Sequence, residues 1–234
     1  MKKMDNHSVS RSRRALLLRL SALGLLGQAG ISGLLREAFA KSAVTTTSRL
    51  HSLDGTAKVN GVQAVSGTIL KPGDHVSTGA NSKAILVMGG DAFLLRDQTD
   101  VEFMARSDLL DTVNIIKGKI LSVFAKRRDS ERLQVRIPVG SIGVRGTGMY
   151  IECVEKRTYF CLCYGEAAIE GKNMKTTLVR TTHHESPLWL SDDGESMKVE
   201  AGSFLNHSDD ELTMLEALFG REPAFAGLPS LQRY

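Results

Sequence analysis

From residue 53 to residue 171 the chain turns back on itself every roughly 8–12 residues, and glycine marks almost every turn. Asp54-Gly55 and Asn60-Gly61 are hairpin dipeptides, because both members tolerate positive φ. Ile69 to Asp74, through Pro72-Gly73, reads as a strand end and a turn, and Gly89-Gly90 splits residues 83–96 into two apolar runs of a hairpin. Residues 101–105 alternate, with Val101 and Phe103 on one face. Residues 112–126 read as two strands joined at Lys117-Gly118, and 132–171 keep the same cadence. No run of helical period interrupts 53–200. The expectation is an all-β domain of short strands over 53–171, either solenoid-like or a sandwich or barrel.

The extension at 172–234 departs from this texture once. Ser208-Asp209-Asp210-Glu211 fits a capping box, in which the serine oxygen meets a free N–H and the glutamate reaches back. Leu212, Leu215, Leu218 and Phe219 then share a helical face, and Gly220 supplies the stop. One amphipathic α-helix at about 208–219 should dock on the β body or on a partner.

The first forty residues have a different character again. A cationic start ends in Ser12-Arg13-Arg14, an apolar run diluted by Arg19 and four glycines follows, and Ala38-Phe39-Ala40 has the small-x-small form of a cleavage site. SRRALLL resembles a twin-arginine signal built on Arg13 and Arg14, with Leu16 where phenylalanine is usual. Residues 1–40 therefore read as a signal peptide cleaved after Ala40, with 41–52 as a linker and the periplasm as destination. An ordinary secretory signal and an uncleaved anchor are the alternatives, and the anchor is the sole expected link to a membrane. The formal charge of +4 belongs to this leader, because residues 41–234 hold 23 basic and 24 acidic side chains. Nucleic acid is accordingly not an expected partner.

Between Gly67 and Glu170 several short motifs follow one another: LKPGDHVSTGANSKAILVM (70–88), KGKILSVF (117–124), RIPVGSIGVRGTGMYI (136–151) and Tyr164 to Ile169. Together they resemble the extracytoplasmic domain of the ferric-citrate regulator (FecR) family, with Val144, Arg145, Gly146 and Thr147 as the most specific piece. The resemblance implies an all-β, solenoid-like domain that acts by binding; in the best-known members it lies between an outer-membrane transporter and a cytoplasmic sigma factor. With no sigma-binding segment read here, the expectation is a stand-alone, non-catalytic periplasmic domain that binds an envelope protein or glycan, in sensing or signalling. A membrane-anchored regulator of a sigma factor is one alternative. Within the motif, Gly146 and Gly148 read as a tight turn and Arg145 as a partner for Asp97 or Asp100, a structural role rather than a ligand contact.

All three cysteines lie between positions 153 and 163. A three-residue loop, Glu155-Lys156-Arg157, puts Cys153 on the same face as Cys161 and diagonal to it, which makes Cys153–Cys161 a candidate disulfide; a register one residue different sends the two sulfurs to opposite faces. Three buried free thiols are a second reading. In a third, Cys161 and Cys163 project to one side of a strand and join His183 and His184 around zinc or copper, provided that HHESP (183–187) is a loop. That third reading makes the chain a metal-binding or redox protein. His207 reads as a capping or surface residue, and His51 and His75 as solvent-facing. Catalytic residues are not expected. No phosphate-cradling glycine loop opens a helix, carboxylates are scattered, and no signature pairs a cysteine with a histidine base.

Overall fold

The computed structural model describes residues 47–105, 110–128 and 133–228. The leader with Arg13, Arg14 and Ala40, and the first part of the linker, lie outside the described residues. Among the described residues, fifteen strands and one helix follow in chain order: β1 (Arg49–Asp54), β2 (Ala57–Val59), β3 (Val62–Ala64), β4 (His75–Thr78), β5 (Lys83–Met88), β6 (Asp91–Leu95), β7 (Asp100–Ala105), β8 (Leu110–Val123), β9 (Leu133–Ile137), β10 (Gly140–Val144), β11 (Gly148–Val154), β12 (Arg157–Glu170), β13 (Thr177–Thr181), β14 (Leu188–Asp192), β15 (Met197–Ala201) and α1 (Asp209–Ala217). None of the described helices is long and apolar enough to cross a membrane.

Two strands of 14 residues, β8 and β12, organise the rest. The second half of β8 and the first half of β12 belong to a sheet ordered β1-β5-β6-β8-β11-β12-β14-β15. Their other halves belong to a second sheet, β3-β2-β4-β7-β8-β9-β10-β12-β13. Each long strand passes between sheets at a glycine of positive φ, Gly118 (+95°) and Gly165 (+97°). A Cβ on Gly118 would stand 2.4 Å from Thr99 Cα, and one on Gly165 would stand 2.8 Å from Thr147 Cγ2. Lys117-Gly118 is therefore a bend inside one strand, not the expected turn between two, because ladder pairing continues on both sides of it.

The all-β class with one C-terminal helix is thus observed. Every described ladder except β8–β9 is antiparallel, and the two sheets, continuous through β8 and β12, enclose an apolar core in a barrel-like, sheet-rich architecture. Phe93 and Phe103 meet edge-on at 5.0 Å at its centre, with Phe124 against Phe93 at 5.6 Å. The Gly89-Gly90 hairpin joins β5 to β6 as expected. Its strand β6 is buried at every residue, since Phe93 and Leu95 face the inner core while Ala92 and Leu94 face a second one.

Two expected boundaries move. Residues 49–52 of the linker are the first strand, paired with β5, and residue 171 does not end the β architecture, because β13 and β14 both pair with β12. Val144, Arg145, Gly146 and Thr147 form the corner where the chain leaves β10 for β11, beside Gly165. Gly146 has φ +64° and its Cβ would meet Lys126 Cα at 2.9 Å, so the turn needs glycine. The half-exposed Arg145 faces Glu166 at 3.9 Å rather than pointing inward, while Val144 and Thr147 on either side are buried. His51 and His75 are partly buried rather than solvent-facing, and His75 pairs with Asp100.

Candidate metal centre

The face of the first sheet that points away from the inner core is covered by the segment that carries α1. Leu212, Leu215 and Leu218 sit on Val87, Leu94, Leu121 and Val123, with Phe204, Phe219 and Phe225 around them. Ser208 caps the helix as expected: its hydroxyl accepts from the Glu211 amide, and the Glu211 carboxylate accepts from the Ser208 amide at 3.1 Å. Arg96 reaches across from the sheet to the same carboxylate at 2.9 Å and to the Asn206 carbonyl at 2.6 Å. The Tyr164 hydroxyl donates to Glu216. Polar groups thus fasten an apolar cover at its margins.

In the middle of this cover lie two cysteines and two histidines. Cys161 and Cys163, two apart on β12, both face the cover and neither exposes any surface. The bend after β13 is a loop, as both histidines required. Glu185 accepts from Thr181 Oγ1 and the Thr182 amide, both at 3.0 Å, and its own amide donates to Thr181 Oγ1 at 3.1 Å. At its apex His184 takes positive φ, and its amide donates to the Cys163 carbonyl at 3.0 Å, which pins the bend to β12. From the other side His207, one residue before the helix cap, lays its ring on Tyr150 at 4.7 Å and 18°. One donor atom each from Cys161, Cys163, His184 and His207 lie within 4.8 Å of one another.

The outer hydrogen bonds decide which nitrogens face inward. A carbonyl only accepts, so His207 Nδ1 carries the hydrogen donated to Leu205 O at 2.6 Å, and Nε2 is left toward the cluster. A carboxylate also accepts, so His184 donates from Nε2 to Asp209 at 3.0 Å and turns Nδ1 inward. These two inward nitrogens stand 3.2 Å apart, and Cys161 Sγ is 3.6 Å from His184 Nδ1. Two neutral imidazoles so held present lone pair to lone pair, an arrangement relieved by a proton or a cation between them. His183 donates from Nε2 to both oxygens of Asp209, at 2.9 and 3.0 Å, sharing Oδ1 with His184, so that His183, His184 and Asp209 form an adjoining group whose donor atoms also lie within 4.8 Å of one another.

The thiols divide unequally. A hydrogen bond from Cys163 brings Cys161 down to about 4 against the upward push of burial, with His184 and His207 adding to the drop. Cys163, wholly enclosed, is pushed well up, first by burial and then by its hydrogen bond to Cys161 and the charge there. The same atoms trace a thiol–imidazole–carboxylate line, Cys161 to His184 to Asp209. As a nucleophile, however, Cys161 is sealed under α1 and crowded by Cys163 and His207, so no substrate carbonyl reaches it without opening the cover.

Of the residues expected at a metal, the structure brings Cys161, Cys163 and His184 together and sets His183 with His184 and Asp209 in the adjoining group. His207 is buried rather than capping or exposed, and it is the member of the cluster that sequence reasoning missed, together with Asp209 beside it. The position of His207 beside a capping box hid its role, since the same spacing suits a helix start. Cys153 does not pair with Cys161. The β11–β12 loop has two residues, Cys153 opposes Thr158 and Cys161 opposes Tyr150, and this register sends Cys153 to the inner core. All three cysteines are free. Burial pushes the Cys153 thiol up to about 11.

No family model and no curated protein matches the chain. Among solved structures it is similar to two crystal structures, at 1.65 and 2.50 Å, described as a "putative anti-sigma factor" from Parabacteroides distasonis ATCC 8503. Each superposes with 10% identity and a TM-score of 0.46, over 55% of this chain and 60% of that one. The chain thus spans about 60% of the length of the structures it matches.

Proposed function

We propose that the protein is a non-catalytic metal-binding domain of the cell envelope, in which Cys161, Cys163, His184 and His207 hold one zinc or copper ion beneath α1. The observation that carries this reading is the convergence of four buried donors from three chain segments within 4.8 Å, with each imidazole oriented by an outer acceptor. A set of two sulfurs and two nitrogens suits both metals. The twin-arginine-like leader supports the reading, because that route exports chains already folded and so able to carry a metal from the cytosol. Native mass spectrometry of the exported protein tests it: one metal per chain is expected, lost in the double variant Cys161→Ser/Cys163→Ser and kept in Cys153→Ser. A metal-free native chain with freely alkylated Cys161 and Cys163 removes the reading.

A second reading, recognition of an envelope protein as the FecR resemblance implies, is favoured by the edge of the second sheet. Among the described strands β3 pairs only with β2, and Val62 within it and Val65 just after it are 70% and 66% exposed. An open edge with apolar side chains invites an added strand. In-cell crosslinking from position 63 that persists unchanged in Val62→Lys/Val65→Lys would count against it.

A further inference from the structure

Resting on the metal-binding reading, we infer that the centre is a closed zinc(II) clasp, and that the ion locks the α1 cover onto the sheet. Three observations lead to the divalent ion. A tetrahedral zinc with Zn–S of about 2.3 Å and Zn–N of about 2.05 Å has S···N edges of about 3.6 Å and N···N edges of about 3.3 Å. The Cys161 Sγ to His184 Nδ1 and His207 Nε2 to His184 Nδ1 separations are 3.6 and 3.2 Å, so these edges stand at their tetrahedral length without rearrangement.

The second observation is charge. Two thiolates and two neutral imidazoles cancel a divalent cation, whereas cuprous copper leaves one negative charge uncompensated. Cys161 and Cys163 have no exposed surface, and the Asp209 carboxylate already sits behind His184. Residual charge in such a place is costly, and the neutral combination is the one that burial favours. The third is the number of donors. All four positions of the ion are filled by protein, as in structural rather than catalytic zinc sites.

The clasp follows from which segments the ligands belong to. Cys161 and Cys163 come from β12, His184 from a bend pinned to β12, and His207 from the run into α1. The first three are fixed by the sheet; His207 is the donor that the cover contributes. Asp209, the first residue of α1, orients His184 across the same junction. A nine-residue helix is too short to persist by itself in water, so a metal bond at its start changes whether the segment stays down.

The test uses the full-length chain, isolated and then loaded with zinc, cobalt(II) or copper(I), with metal content read by native mass spectrometry and cover docking by amide exchange of residues 203–228. Zinc is expected in the isolated chain at one per molecule, and cobalt(II) should give the visible bands of a tetrahedral site with two thiolates. Removing zinc should speed exchange across 203–228 at least tenfold and leave β6 and β8 protected. Asp209→Asn should weaken zinc binding about 10–100-fold. His207→Ala should weaken it further and shift the cobalt bands, a spectroscopic change that a merely packing role would not produce. A chain isolated with one copper, or octahedral cobalt bands, or zinc removal that leaves 203–228 protected, overturns the clasp while the metal-binding reading stands. A chain that takes up neither zinc nor copper overturns both.

Discussion

The two faces of the first sheet are closed by different means. The inner face meets a second sheet, and side chains such as Leu86, Phe93, Ile120 and Phe160 fill the space with carbon. The outer face meets a nine-residue helix and its flanking loops, and buries Tyr150, Tyr159, Cys161, Cys163, Tyr164, His184 and His207. The difference teaches what each cover needs. A sheet arrives with its backbone already satisfied by ladders, so an apolar interior suffices to hold it. A short helix with three buried leucines lacks that support, and polar anchors hold it instead: Arg96 to Glu211, Tyr164 to Glu216, and the Cys/His cluster. The same hairpin, β11–β12, shows the contrast in one residue type, with Cys153 among carbon and Cys161 and Cys163 among donors.

Four measurements test how separate the two faces are. The largest effect is expected from Phe103→Ala in the inner core, about 3–5 kcal/mol of global stability by urea denaturation. Protection should then fall in every strand. Leu215→Ala, fully buried under the outer cover, should cost about 3 kcal/mol, but chiefly in the local opening of 203–228 seen by amide exchange. If it lowers protection in β7 as much as in α1, the two faces form a single cooperative unit and the contrast fails.

The third measurement is a pH profile. The folded Cys153 thiol keeps its proton to about 11, whereas the unfolded thiol loses it near the model-peptide value of 9.0. Its contribution is therefore complete below pH 9 and fades as pH rises through about 11, amounting to about 3 kcal/mol by the end of that window. Cys153→Ala should flatten this part of the stability profile; an unchanged alkaline limb would show that the thiol reaches solvent. The smallest effect is expected from Ser208→Ala, about 1 kcal/mol through loss of the N-cap. It should appear as faster exchange in the first turn of α1, with the inner core unaffected.

What could be read in advance was local. Gly89-Gly90 makes a hairpin because two adjacent glycines admit a turn whatever surrounds them, and the Ser208–Glu211 box starts a helix within four residues. Cys161 and Cys163 share a face because strand periodicity requires it. Lys117-Gly118 misled because a glycine of positive φ serves a turn and a mid-strand bend equally well, and only the second sheet on the far side of Gly118 decides between them. The one-residue difference in the β11–β12 loop had the largest consequence, since it sent Cys153 and Cys161 to opposite faces.

By itself, then, the sequence determined the all-β class, the capped C-terminal helix and the pairing of Cys161 with Cys163 on one side of a strand, because each depends on residues within a few positions of one another. The tertiary structure alone decided that His207 and Asp209 join them. His184 and His207 are 23 positions apart, and no local periodicity relates a bend after β13 to a helix start. Their meeting depends on Leu212, Leu215 and Leu218 laying α1 across the first sheet, where burial then obliges every polar group beneath it to find a partner.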